Sequence, residues 1–158
     1  MTGDRIFKEK EMHCYHFAAE ISAPIHVVFQ CLNKDEHVLK WNTQIIRNIY
    51  EGSEEDLEAG STFTTVQKIG GKVYELEGKY VEYDPPYFAV VETETKEGIS
   101  KTEYRLEELD GETSFTVDVY LIPSSWIYKT TMKMMKWAVK RMYDEQFERF
   151  VDYIHTEM

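Results

Sequence analysis

Polar and apolar residues alternate through positions 12–22. Tyr15, Phe17, Ala19 and Ile21 fall on one side and His16, Ala18, Glu20 and Ser22 on the other, the period of a half-buried strand. Pro24 stops the alternation and suits the first turn of a helix, with Ser22 as its cap; Val27, Val28, Cys31 and Leu32 follow at helical spacing. A second short helix is predicted over 34–40, delivering Trp41. Six further strands are predicted over 44–50, 61–69, 72–83, 87–95, 99–109 and 113–122. Gly70-Gly71 closes a hairpin, Asp84-Pro85-Pro86 breaks a ladder in which proline cannot donate, and Gly98 and Asp110-Gly111 mark the remaining turns.

Three of these strands show which side they bury. Tyr74, Leu76, Gly78 and Tyr80 share one face; Thr102, Tyr104 and Leu106 alternate with Lys101, Glu103, Arg105 and Glu107; Phe115, Val117, Val119 and Leu121 point one way. An antiparallel sheet with one apolar face needs a cover. That cover is predicted as one helix over 125–156, capped by Ser124 or Ser125 and about 45 Å long at 1.5 Å per residue. Tyr128, Thr131, Met132, Met135, Val139, Met142, Tyr143, Gln146, Phe150, Tyr153 and Ile154 fall in one broad arc of it. The fold class is α+β, a curved antiparallel sheet of about seven strands wrapped around a long C-terminal helix, in a single domain spanning 1–158.

Composition supports one ordinary core: of 158 residues, 42% are apolar and 14% aromatic. The charged start of the chain lacks the apolar run of a signal peptide, and no later run reaches membrane-spanning length, so a cytoplasmic protein without stable membrane insertion is expected. Cys14 and Cys31 form no paired motif and read as reduced packing residues. A formal charge of -11 argues against nucleic acid and anionic membranes as partners. Glu51, Glu54, Glu55, Asp56 and Glu58 read as a solvated acidic loop.

The order of strand, two short helices, six strands and long helix resembles the helix-grip fold of the START-like superfamily, also called the Bet v 1-like or SRPBCC group. The most specific segment is Ile21-Ser22-Ala23-Pro24-Ile25-His26-Val27-Val28-Phe29 followed by Trp41-Asn42, which is similar to the opening of bacterial polyketide cyclase/dehydrase-like members. Asp84-Pro85-Pro86 and Gly111-Glu112-Thr113 add to it. The resemblance implies a cavity between sheet and helix that takes lipids, sterols, polyketides or other apolar molecules, and a fold that hosts carriers, enzymes and chaperone regulators alike. Two specialised branches are not favoured: the acidic 51–58 stretch replaces the glycine-rich loop of the plant allergens, and Trp41 stands alone where Hsp90-activating members often carry tandem tryptophans.

The chain has no GxSxG, HExxH, GxGxxG or GxxxxGK[ST] motif. His13, Cys14 and His16 suggest a metal cluster, but on a regular strand 13 and 16 project to opposite faces, so no metal is expected without a bulge. No cofactor is expected either. Binding of a small hydrophobic or amphipathic ligand is the expected function, in a pocket lined by Phe63, Thr65, Gln67, Tyr74, Leu76, Tyr80, Tyr104, Leu106, Phe115, Val117, Met135, Val139, Met142 and Gln146. The alternatives are a cyclase or dehydrase in which a tyrosine or Glu92 moves a proton, and a protein-interaction module using the acidic loop or a lysine stripe. That stripe, Lys129, Lys133, Lys136 and Lys140, is expected to pair with surplus acid on the sheet, while Trp137 and Met134 lie off the buried arc, suggesting either a dimer surface or cover by the first ten residues. A monomer or homodimer is expected.

Overall fold

All seven predicted strands form. The computed structural model describes residues 11–158, with strands β1 (Met12–Ile21), β2 (Ile45–Tyr50), β3 (Thr62–Ile69), β4 (Lys72–Asp84), β5 (Phe88–Thr95), β6 (Gly98–Leu109) and β7 (Glu112–Pro123). The helices are α1 (Ile25–Asn33), α2 (Asp35–Trp41), α3 (Trp126–Met134) and α4 (Lys136–Glu157). Readings that concern the first ten residues, the charged start and a cover over Trp137, lie outside the described residues.

The strands make one antiparallel sheet in the order β1-β7-β6-β5-β4-β3-β2. The meander from β2 to β7 places β1 beside the last strand, so α1 and α2 must carry the chain from one edge of the sheet to the other. Register shifts at His13/Tyr15, Ile45/Arg47 and Tyr80/Glu82 bend the sheet, and the long C-terminal helix lies in its concave side. This is the α+β helix-grip architecture.

An aromatic cluster joins the layers. Phe115 of β7 lies with its ring centroid 4.9 Å from Phe150 and 6.1 Å from Phe147, both on α4, and Trp41 from α2 closes on Phe150 at 4.9 Å. The Trp41 indole donates to the Cys31 carbonyl at 2.8 Å, so its buried N–H is satisfied. Ile21, Val28, Leu106, Val117 and Ile154 complete this core.

Three local expectations are corrected. The helix over 125–156 is two helices, because Met135 leaves helical geometry at φ -97° and ψ 12°; no proline or glycine marks the break. The hydrogen bonds Met135 N to Thr131 O and Val139 N to Met135 O, both 3.0 Å, keep the two helices nearly in phase. Of the two serines offered as its cap, Ser125 is the one that caps α3, accepting from Tyr128 N. Ser22 does not cap α1: its N–H donates to His155 Nε2 at 3.0 Å and its hydroxyl to Glu112 at 3.1 Å, tying the end of β1 to α4 and β7. The bulge at His13/Tyr15 also turns His13 and His16 to the same face, where Nε2 of one and Nδ1 of the other meet Asp118 Oδ1 at 2.9 and 2.8 Å. Among the described residues, no group of three such side chains is arranged to hold a metal ion.

Candidate functional site

Where α1, α2 and α4 fail to fill the curve of the sheet, a cavity of about 310 Å³ remains. Volumes of roughly 300–1,000 Å³ are usual for small-molecule sites. Strand periodicity decides the lining: Phe63, Thr65, Gln67 and Ile69 of β3, Ala89, Val91, Thr93 and Thr95 of β5, and Ser100, Thr102 and Tyr104 of β6 are inward at every second position. β4 adds Leu76 and Tyr80, and α4 adds Met142 and Tyr143. Because alternate residues of β5 line the cavity, Glu92 falls on the outer face, and the proton-moving role considered for it has no geometry.

The two ends of the cavity differ. Register pairs Thr65 with Leu76 and Thr93 with Ser100, so Thr65, Gln67, Thr93, Thr95 and Ser100 gather towards the β5–β6 turn as a belt of small polar side chains. At the other end Asp35, the first residue of α2, accepts from Asn48 Nδ2 at 2.9 Å and from the Tyr50 hydroxyl at 2.8 Å through the same Oδ1. Beside it the Asn33 side chain accepts from Tyr80 at 3.0 Å and donates to Tyr83 at 2.8 Å. Among the described residues, Asp35 is the only carboxylate on the cavity wall.

Burial raises the phenols of Tyr80, Tyr104 and Tyr50 well above the ordinary tyrosine range, and the carboxylate of Asp35 adds to the effect at Tyr50. They are therefore protonated at neutral pH and do not act as bases; Tyr80 donates to Asn33 and Tyr50 to Asp35. Burial also raises Glu54, whose carboxylate accepts from the Asp35 N–H at 3.1 Å.

Of the fourteen residues expected to line the pocket, Phe63, Thr65, Gln67, Leu76, Tyr80, Tyr104 and Met142 come together on the wall. The other seven are elsewhere. Leu106, Phe115 and Val117 point inward but are sealed in the core under Phe147 and Phe150. Tyr74 is exposed near the β3–β4 hairpin tip, and Met135 is 51% exposed at the helix break. Val139 is half-buried outside the cavity. Gln146 is buried but already engaged: it accepts from Thr43 N at 3.2 Å and donates to Thr43 Oγ1 at 2.7 Å. Sequence reasoning missed Asn33, Asp35, Asn48 and Tyr50. Asp35 stands in the first turn of α2, where an acidic residue suits the helix dipole, and nothing in the chain marks its second role.

The family model described as "Activator of Hsp90 ATPase homolog 1-like protein" matches residues 22–152, and the chain belongs to this family, within the Bet v 1-like, SRPBCC-type superfamily. The lone Trp41 was therefore no argument against that branch. No curated protein matches the sequence. Among solved structures, Ara h 8.0201 superposes with a TM-score of 0.65 at 14% identity, over 93% of this chain and 99% of that one. A protein from Arthrobacter aurescens gives 0.70 at 12% identity, over 94% and 88%. The di-domain ARO/CYC StfQ from the steffimycin biosynthetic pathway gives 0.72 at 6% identity, over 96% of this chain and 54% of that longer one. At these identities the likeness is one of fold.

Proposed function

We propose that the protein binds a small amphipathic molecule in the 310 Å³ cavity, its apolar body against Phe63, Leu76, Val91 and Met142 and its polar group in the Thr93/Ser100 belt or at Asn33 and Asp35. The supporting observation is the wall itself: apolar side chains interleaved with small hydroxyls, with tyrosines kept protonated. Family membership agrees with ligand binding as the general role. The two cysteines are free and buried, in keeping with the cytoplasmic location we infer.

The test is titration with an environment-sensitive apolar fluorophore. Met142→Trp, which fills the cavity, should lower affinity at least tenfold, whereas Met135→Trp, on the surface, should leave it unchanged. Equal affinity in all three proteins would move the ligand out of this cavity.

A catalytic reading has one observation in its favour, the carboxylate of Asp35 on the wall, held by Asn48 and Tyr50 where a substrate group would lie. In that case Asp35→Asn would abolish turnover of a bound polyketide-like substrate while fluorophore affinity stayed the same. Loss of both together would mark Asp35 as a binding group only.

A further inference from the structure

The charge of the chain is unevenly spread. Although the whole carries -11, no aspartate or glutamate occurs from 119 to 143, a stretch holding Lys129, Lys133, Lys136, Lys140 and Arg141. All 29 acidic residues lie outside it. Lys140 and Arg141 are paired within α4, to Asp144 at 2.6 Å and Glu145 at 3.4 Å. Among the described residues, Lys129, Lys133 and Lys136 have no carboxylate within ion-pair distance, so the expected pairing with acid on the sheet does not occur.

The same stretch exposes its largest apolar side chains. Trp126 is 75% exposed, Met134 74% and Trp137 72%, with Ile127 also open, and no residue of α3 is buried. At about 100° per residue, Trp126 and Trp137 coincide, with Met134 and Ile127 along one side of them and Lys129, Lys133 and Lys136 along the other. Tyr128, Met132 and Val139, all half-buried, occupy the opposite side. Indoles and a thioether flanked by unpaired ammonium groups are the pattern of a helix lying in a bilayer interface, rings at headgroup depth and lysines among anionic phosphates.

We propose that α3 and the first turn of α4 dock the protein reversibly on anionic phospholipid surfaces. Charge complementarity favours this occupant over a second copy, because an antiparallel two-fold contact through this face would set the two lysine rows side by side, and any two-fold contact would bring two copies of the basic stretch together. The net negative charge opposes this docking only weakly at α3, since the repelling carboxylates sit elsewhere on the chain and their field decays over roughly 8–10 Å in physiological salt. Position adds a consequence: Ser124, two residues before α3, donates through its N–H to Glu97 O at 2.9 Å and through its hydroxyl to Lys96 O at 3.0 Å. That fixes the helix beside the β5–β6 turn, at the hydroxyl-rich end of the cavity. Docking does not depend on what the cavity holds.

The experiment is co-sedimentation of the full chain with phosphatidylcholine vesicles, with and without phosphatidylserine, alongside tryptophan emission. Trp41 is buried, so a blue shift reports Trp126 and Trp137. Expected are binding only with phosphatidylserine, a blue shift that Trp126→Ala/Trp137→Ala removes, and an affinity loss on the order of a hundredfold for Lys129→Gln/Lys133→Gln/Lys136→Gln. All five side chains are exposed, and circular dichroism checks that each variant folds. Failure to sediment with phosphatidylserine vesicles would overturn the proposal, as would equal binding to both vesicles with the lysine variant unaffected, or a dimer that shields both tryptophans and ignores lipid.

Discussion

The ring of Phe63 lies over Gly78 on the neighbouring strand, its Cε2 and Cε1 only 2.7 and 2.8 Å from where a β-carbon on Gly78 would stand. The glycine therefore sets how far the Phe63 ring sits from the cavity. Gly78→Ala should push that ring towards the ligand space, lowering stability by about 1–3 kcal/mol and weakening fluorophore binding. Phe63→Leu in the same chain should return part of both, a coupling read from a denaturation double-mutant cycle. Additive effects would mean the two residues do not touch in solution.

Gln146 should behave as a structural residue. Its amide satisfies Thr43 N and Thr43 Oγ1 where the chain passes from α2 into β2, so Gln146→Leu leaves a part-buried N–H without a partner. A loss of about 1–3 kcal/mol in urea unfolding is expected.

Removing an aromatic from the sealed core should cost more than removing one from the cavity wall. Phe150→Ala empties space between Phe115 and Trp41 and should lose about 3–5 kcal/mol; Phe63→Ala only enlarges a void already present and should lose distinctly less. Thermal midpoints of the two variants make the comparison.

Asp144 sets a pH dependence. The Lys140 hydrogen bond, with that from Tyr15, holds its carboxyl below the ordinary aspartate value, while burial of Tyr15 raises the phenol and keeps it a donor. A carboxyl depressed on folding stabilises the native state above its unfolded value of about 3.9, and that contribution disappears as pH falls through the lower folded value. Asp144→Asn should thus cost less than about 1 kcal/mol at neutral pH, since Lys140 is exposed, and the difference from wild type should close below about pH 4. A difference that persisted in acid would refute the assignment.

The strands were legible because alternation in β6 and β7 is strict, with Tyr104 and Leu106 or Phe115 and Val117 set against charged or hydroxyl neighbours. Which inward residues meet a void was not legible. Leu106 and Tyr104 are two apart on one face, and only the bulk of Phe147 and Phe150 against one of them separates core from cavity wall. The break at Met135 has no proline or glycine to announce it, and the bulge beside His13 inserts a residue that sequence alternation cannot register. Asp35 was hidden for a different reason: an acidic residue at a helix start satisfies a local rule, so its place on the wall appears only when α2 meets β2.

The most direct measurement of the central claim is native mass spectrometry of the protein purified without detergent, beside the cavity-filling variant Thr102→Trp. A small apolar or amphipathic adduct on the wild type, absent from the variant, is the result expected. A wild type that carries no adduct and takes up none of a panel of apolar probes, while folded, would contradict it.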